Sequence, residues 1–120
     1  FGGSTVQQLA YSGADIKGIV SFHGSLIPPV EAAVKQTKAK FLICHGASDP
    51  FTTPEALQAY ITAMNATGID WKMAIYAHAK HAFTNPDADK YGLKALGYNR
   101  NADRRSWEDM KQFFNEIFSN

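Results

Sequence analysis

The chain has 120 residues, 45% of them hydrophobic and 19% charged, and its twelve Lys and Arg against eleven Asp and Glu give a formal net charge of +1. Those values fit one globular domain and disfavour a disordered chain, a fibre or two domains. Charge scattered without a basic stripe gives no electrostatic reason for a nucleic-acid or anionic-membrane partner, and no apolar run approaches the length of a membrane span.

In chain order, Gly3 to Tyr11, with Val6, Leu9 and Ala10 turned inward and Gly13 beyond its end, predicts a first helix. Gly18 to His23 predicts a strand, and Pro28 to Thr37 a shorter helix through Val30, Ala33 and Val34. Lys40 to His45 is a second strand, and its Phe41-Leu42-Ile43-Cys44 run suits burial on both faces. From Pro54 to Thr67 the spacing of Leu57, Tyr60, Ile61 and Met64 lines one face of a helix. Thr52 or Thr53 caps its start, Pro54 suits its first turn, and Gly68 is the expected left-handed stop. Trp71 to Ala77 predicts a third strand. Thr84 to Asn101, rich in Asn, Asp, Gly and Lys, reads as a long surface loop of the kind that often carries function. A last helix from about Ala102 to Phe118 carries the stripe Trp107, Met110, Phe113, Phe114 and Ile117, read as core packing rather than a cofactor site. The alternation predicts an α/β fold of three parallel strands with flanking helices, in one domain over residues 1–120.

Asp49 follows the second strand and His81 the third, so both are expected at the C-terminal ends of neighbouring strands, where open α/β sheets place their sites. A carboxylate there can fix an imidazole's tautomer and steady its positive form while the imidazole exchanges protons. Read alone, Asp49 equally suits a turn before Pro50. Of the other histidines, His78 stands at a strand end and flanks the pocket. His23 and His45 each precede a glycine, so each either lines the site mouth or terminates its strand; His45 is assigned the structural role. A zinc reading fails because His78 and His81 lack further ligands and an H-E-x-x-H helix.

A nucleophile is harder to find. Cys44, the one cysteine, sits inside an apolar strand without a glycine-rich turn, as buried structural cysteines do. Ser4 falls within the first helical turn and outside a G-x-S-x-G pattern, and Ser21, Ser25 and Ser48 have no elbow around them.

Phe1-Gly2-Gly3-Ser4-Thr5, Val20-Ser21-Phe22-His23-Gly24, His45-Gly46-Ala47-Ser48-Asp49-Pro50, His81-Ala82-Phe83-Thr84-Asn85-Pro86 and Asp103-Arg104-Arg105-Ser106-Trp107, in that order and spacing, resemble the dienelactone hydrolase family. The family's elbow reads Gly-Tyr-Cys-Phe/Leu-Gly-Gly, and its triad is Cys, Asp and His. The resemblance covers essentially the whole chain and implies the C-terminal half of an α/β-hydrolase domain. It places the nucleophilic cysteine immediately before Phe1, makes Asp49 and His81 the other catalytic members, and gives the Phe1 backbone amide to the oxyanion hole. His23, His78, Phe83 and Asn85 are the expected substrate-binding residues. The implied enzyme hydrolyses a small-molecule ester or lactone through an acyl-cysteine and uses neither metal nor organic cofactor. Dienelactone hydrolases carry an arginine four residues after the catalytic histidine, where it helps hold the substrate carboxylate. Asn85 stands there and cannot form a bidentate ion pair, which argues for a general ester, thioester or lactone instead.

A rival reading is a noncatalytic binding or assembly module that keeps the hydrolase scaffold. The residue encoded just upstream of Phe1 separates the two: Cys or Ser favours the enzyme, and Gly, Ala or an initiating Met favours the module. Separation from the family's preceding strand is also expected to leave a bare sheet edge that drives self-association. The expected compartment is the cytoplasm, although a chain opening with Phe leaves a removed leader open.

Overall fold

The computed structural model describes residues 1–119. Strands β1 (Gly18–Phe22), β2 (Lys40–Gly46) and β3 (Trp71–Tyr76) form a parallel sheet in the order β1-β2-β3, interleaved with helices α1 (Gly2–Tyr11), α2 (Glu31–Val34), α3 (Pro54–Asn65) and α4 (Arg100–Phe118). The register sets Phe22 beside Cys44 and His45 beside Ile75, so all three strands end at the same edge. Among the described residues no helix is long and apolar enough to cross a membrane.

The period-two geometry of β2 builds both halves of the core. Phe41 and Ile43 join Ala10, Tyr11, Ile19, Tyr60 and Met64 on one side, where α1, α2 and α3 lie. Leu42 and Cys44 join Tyr76, Phe83 and Phe113 on the other, covered by α4. Phe41, Leu42 and Ile43 are at most 1% exposed, and burial of such side chains contributes about 1.5–3 kcal/mol each. This is the expected α/β arrangement of three parallel strands with flanking helices.

Local punctuation explains where the helices differ from expectation. Pro28 and Pro29 hold the chain extended, as the residue before a proline avoids the α region. Val30 remains in the β region, and α2 keeps only four residues. Thr53 caps α3 by accepting from the Ala56 amide at 3.1 Å. The stop is not a left-handed Gly68. Instead Thr67 ends the helix, its hydroxyl donating to the Met64 carbonyl at 2.6 Å and accepting from the Ile69 amide at 3.1 Å. On α4 the buried stripe runs through Ala102, Ser106 and Phe113, and Trp107 is 55% exposed rather than core. Ser106 fits there because its hydroxyl donates to the Asp103 carbonyl within the same helix.

Two close approaches position the site. A Cβ on Gly24 would lie 2.6 Å from the Gly3 Cα, so the first turn of α1 reaches the loop after β1 only because both are glycine. At the end of β2, a Cβ on Gly46 would strike the Ala79 carbonyl. Its absence lets Ala47 donate to the Tyr76 carbonyl at 2.9 Å and Ser48 to that of Ala79 at 2.8 Å. The acid loop is thereby fastened under the histidine loop.

Candidate active site

Asp49 is 5% exposed and uses its two carboxylate oxygens differently. Oδ1 accepts from the Phe51 amide at 2.9 Å, and Oδ2 lies 2.9 Å from His81 Nδ1. The turn-forming and histidine-orienting readings of this aspartate therefore coexist, one oxygen serving each. Phe51 in turn packs edge-on against His81, with ring centroids 5.0 Å apart at 89°.

The His81 backbone is held by the long loop. Its amide donates to the Ala95 carbonyl at 3.1 Å and its carbonyl accepts from Gly97 at 3.2 Å, a parallel bridge to Leu96. Asn99 adds a bond to the Phe83 carbonyl at 3.0 Å. The irregular stretch after Thr84 thus returns beside the histidine segment and immobilises it, aided by a short 3-10 helix at Ala88–Tyr91. With Nδ1 on Asp49, the His81 side chain remains 24% exposed, and among the described residues nothing hydrogen-bonds its Nε2.

His23 stands on the other side of His81, ring centroids 5.5 Å apart at 66°. Its Nε2 lies 2.8 Å from the Thr84 hydroxyl, and Phe83 supports the ring from 5.0 Å. Burial is the main cause that pushes the His23 pKa down to about 4. His81 pushes the same way, against its own backbone and Asp49. The ring is therefore neutral at pH 7. His23, His78 and Ala82 adopt positive φ of 44°, 64° and 60°, strain of about 1–3 kcal/mol each that surrounding structure must hold. His23 packs against His81, and Ala82 directly follows it in the chain.

A cleft of about 270 Å³ opens beside the pair, lined by Asp49, His81, Gly24, Leu26, Phe51 and Ala59 among others. One of its walls depends on a residue that sequence reasoning missed. Gln7 is completely buried; its amide nitrogen donates to the Gly3 and Ser25 carbonyls at 3.0 and 2.9 Å, and its oxygen accepts from the Ile27 amide at 3.1 Å and the Tyr60 hydroxyl at 3.2 Å. A polar residue among the inward positions of α1 was the available signal.

The other expected site residues fall in different places. His78 is exposed, beyond the end of β3, and does not line the cleft. Phe83 is fully buried and meets the site through its ring contact with His23. The Asn85 side-chain oxygen accepts from the Asp87 amide at 3.0 Å, making a turn outside the cleft lining. Phe1 precedes α1, and its carbonyl accepts from the Thr5 amide at 3.1 Å and the Ser4 hydroxyl at 2.8 Å. That bond ties Ser4 into the first turn. His45 is 3% exposed, with Nδ1 unpartnered among the described residues, and burial is the main cause that lowers its pKa. Cys44 lies on the α4 side of the sheet, and burial pushes its thiol up to about 11, which leaves it protonated and inert at neutral pH.

A carboxylate-oriented imidazole thus stands at the strand ends of a parallel sheet and faces a cleft, where open α/β sheets place their sites. Residues 1–118 match the dienelactone hydrolase family, and the chain belongs to that family. It is 38% identical to the solved structure m3DLH, with a TM-score of 0.90. To a dienelactone hydrolase-like promiscuous phosphotriesterase from metagenomic libraries it is 35% identical, with a TM-score of 0.91. In both comparisons the match covers 98% of this chain and 49% of the other, so the chain spans about half their length. An uncharacterized Caenorhabditis elegans protein is 29% identical over 108 residues, 87% of this chain and 66% of that protein.

Proposed function

We propose that the chain is the C-terminal half of a dienelactone-hydrolase-like enzyme that hydrolyses a small ester, thioester or lactone through a Cys-Asp-His triad. The cysteine stands immediately before Phe1. The observation that carries this reading is the 2.9 Å contact between Asp49 Oδ2 and His81 Nδ1, with Nε2 unbonded among the described residues and His81 lining the cleft.

In this scheme His81 Nε2 takes the thiol proton and the sulfur attacks the acyl carbon. The helix dipole of α1 favours the thiolate before its first turn, and Asp49 steadies the imidazolium. The Phe1 amide donates to the oxyanion, His81 returns the proton to the leaving oxygen (sulfur in a thioester), and the bond from that atom to the acyl carbon breaks. Water then gives its proton to His81 as it attacks the thioester, and the acid departs as the thiol is restored.

Asn85 supports a substrate other than a dienelactone. It has no positive charge for a carboxylate, and its side-chain oxygen is already bonded within its own turn. Likeness to a phosphotriesterase adds phosphotriesters to the substrates worth assaying. The test is turnover of nitrophenyl esters, simple lactones and a phosphotriester by the full-length protein. Turnover of one class that disappears in His81→Ala supports the proposal; hydrolysis indifferent to that substitution contradicts it.

A further inference from the structure

His81 is held on three sides. Asp49 fixes Nδ1, Phe51 meets one side of the ring at 5.0 Å, and His23 meets it from 5.5 Å. His23 is itself tied down by Thr84 at 2.8 Å and braced by Phe83 at 5.0 Å, from a backbone at φ 44° that only firm anchoring maintains. It stands behind His81, outside the residues that line the cleft.

We propose that His23 is a positioning residue for His81: locked by the Thr84 hydroxyl, its ring forms with Phe51 a clamp that holds the His81 imidazole on Asp49 and aims Nε2 at the cleft. This rests on the hydrolase reading for its consequence but not for its geometry. Reacting groups lose rate steeply when misplaced, and a single hydrogen bond leaves an imidazole free to swing about that bond. Two edge-on rings remove the swing. Neutrality of His23 at working pH is consistent with the role, since a charged neighbour would oppose the imidazolium that His81 becomes.

The experiment compares His23→Ala, His23→Phe and Thr84→Val in the full-length protein, by steady-state kinetics and by NMR of the His81 Nδ1 proton. His23→Ala is expected to lower kcat by on the order of tenfold to a hundredfold with KM little changed, and to broaden or lose the Nδ1 proton signal. His23→Phe, which keeps a ring in the gap but gives up the Thr84 bond, is expected to recover both to about the level of Thr84→Val. Thr84→Val, which keeps the shape of this half-buried side chain, is expected to give a smaller loss in the same direction and keeps the idea testable should His23→Ala not fold. An unchanged His81 signal in both His23→Ala and Thr84→Val overturns the proposal. So does a His23→Phe enzyme as impaired as His23→Ala while Thr84→Val is nearly unaffected, because the ring nitrogen would then act other than through the Thr84 bond. Absence of turnover in the unsubstituted protein counts against the hydrolase reading alone, as the NMR signature still decides the clamp.

Discussion

Asp49 meets His81 with one carboxylate oxygen, Oδ2 to Nδ1 at 2.9 Å, while its other oxygen accepts the Phe51 amide at the same distance. The carboxylate cannot turn without giving up one of these bonds, so its direction is set by the acid loop before any substrate arrives. Asp49→Asn keeps the shape but presents an amide N–H to Nδ1, forcing the ring proton onto Nε2, where a base must be empty. Hydrolysis by the full-length protein is expected to fall on the order of 10⁴-fold with circular dichroism unchanged. A loss below tenfold would mean that Asp49 only shapes its turn.

Acid stability offers a second check. His23 has its pKa lowered from 6.5 to about 4 in the folded protein, so between those values the unfolded chain binds a proton that the folded chain refuses. The contribution is fully present above pH 6.5, declines as pH falls, and levels off below about 4. Its slope has a ceiling of about 1.4 kcal/mol per pH unit, and partial exposure of the ring keeps it below that. Buried His45 acts in the same direction. Urea unfolding at pH 7, 6 and 5 is expected to give falling midpoints, and His23→Gln to flatten the trend; parallel trends in the two proteins would refute the assignment.

The join between the acid loop and the histidine loop depends on Gly46, whose missing side chain admits the Ala79 carbonyl. Gly46→Ala is expected to destabilise the fold by about 1–3 kcal/mol, the usual cost of overpacking. It should also weaken catalysis through Asp49. Gly68→Ala, with open space around the added methyl, serves as the control and is expected to leave the urea midpoint nearly unchanged.

Most of the frame was legible because it rests on local rules. Three apolar runs at helix-length spacing specify buried parallel strands, and Asp49 and His81 emerge together once those strands are aligned. What escaped depends on contacts between distant segments. Nothing near Gln7 in the sequence announces that it anchors Ser25 and Ile27, and nothing near Thr84 announces His23, 61 positions away. Trp107 was misplaced for a related reason. Periodicity favours the largest apolar side chain, whereas the close-packed stripe of α4 accepts the smaller Ala102 and Ser106.

β1 has β2 on one side and, among the described residues, no strand on the other. An edge with unpaired amides and carbonyls recruits other strands. The 120-residue chain by itself is expected to self-associate, and a strictly monomeric sedimentation profile at high concentration would count against this.

The central claim is most directly tested by stopping the full-length protein during turnover of an activated ester and locating the acyl group by peptide mass spectrometry. The expected result is a thioester on a cysteine directly preceding Phe1, absent in His81→Ala. Acylation of Cys44 or of a serine, or an adduct that forms equally well without His81, would contradict the account.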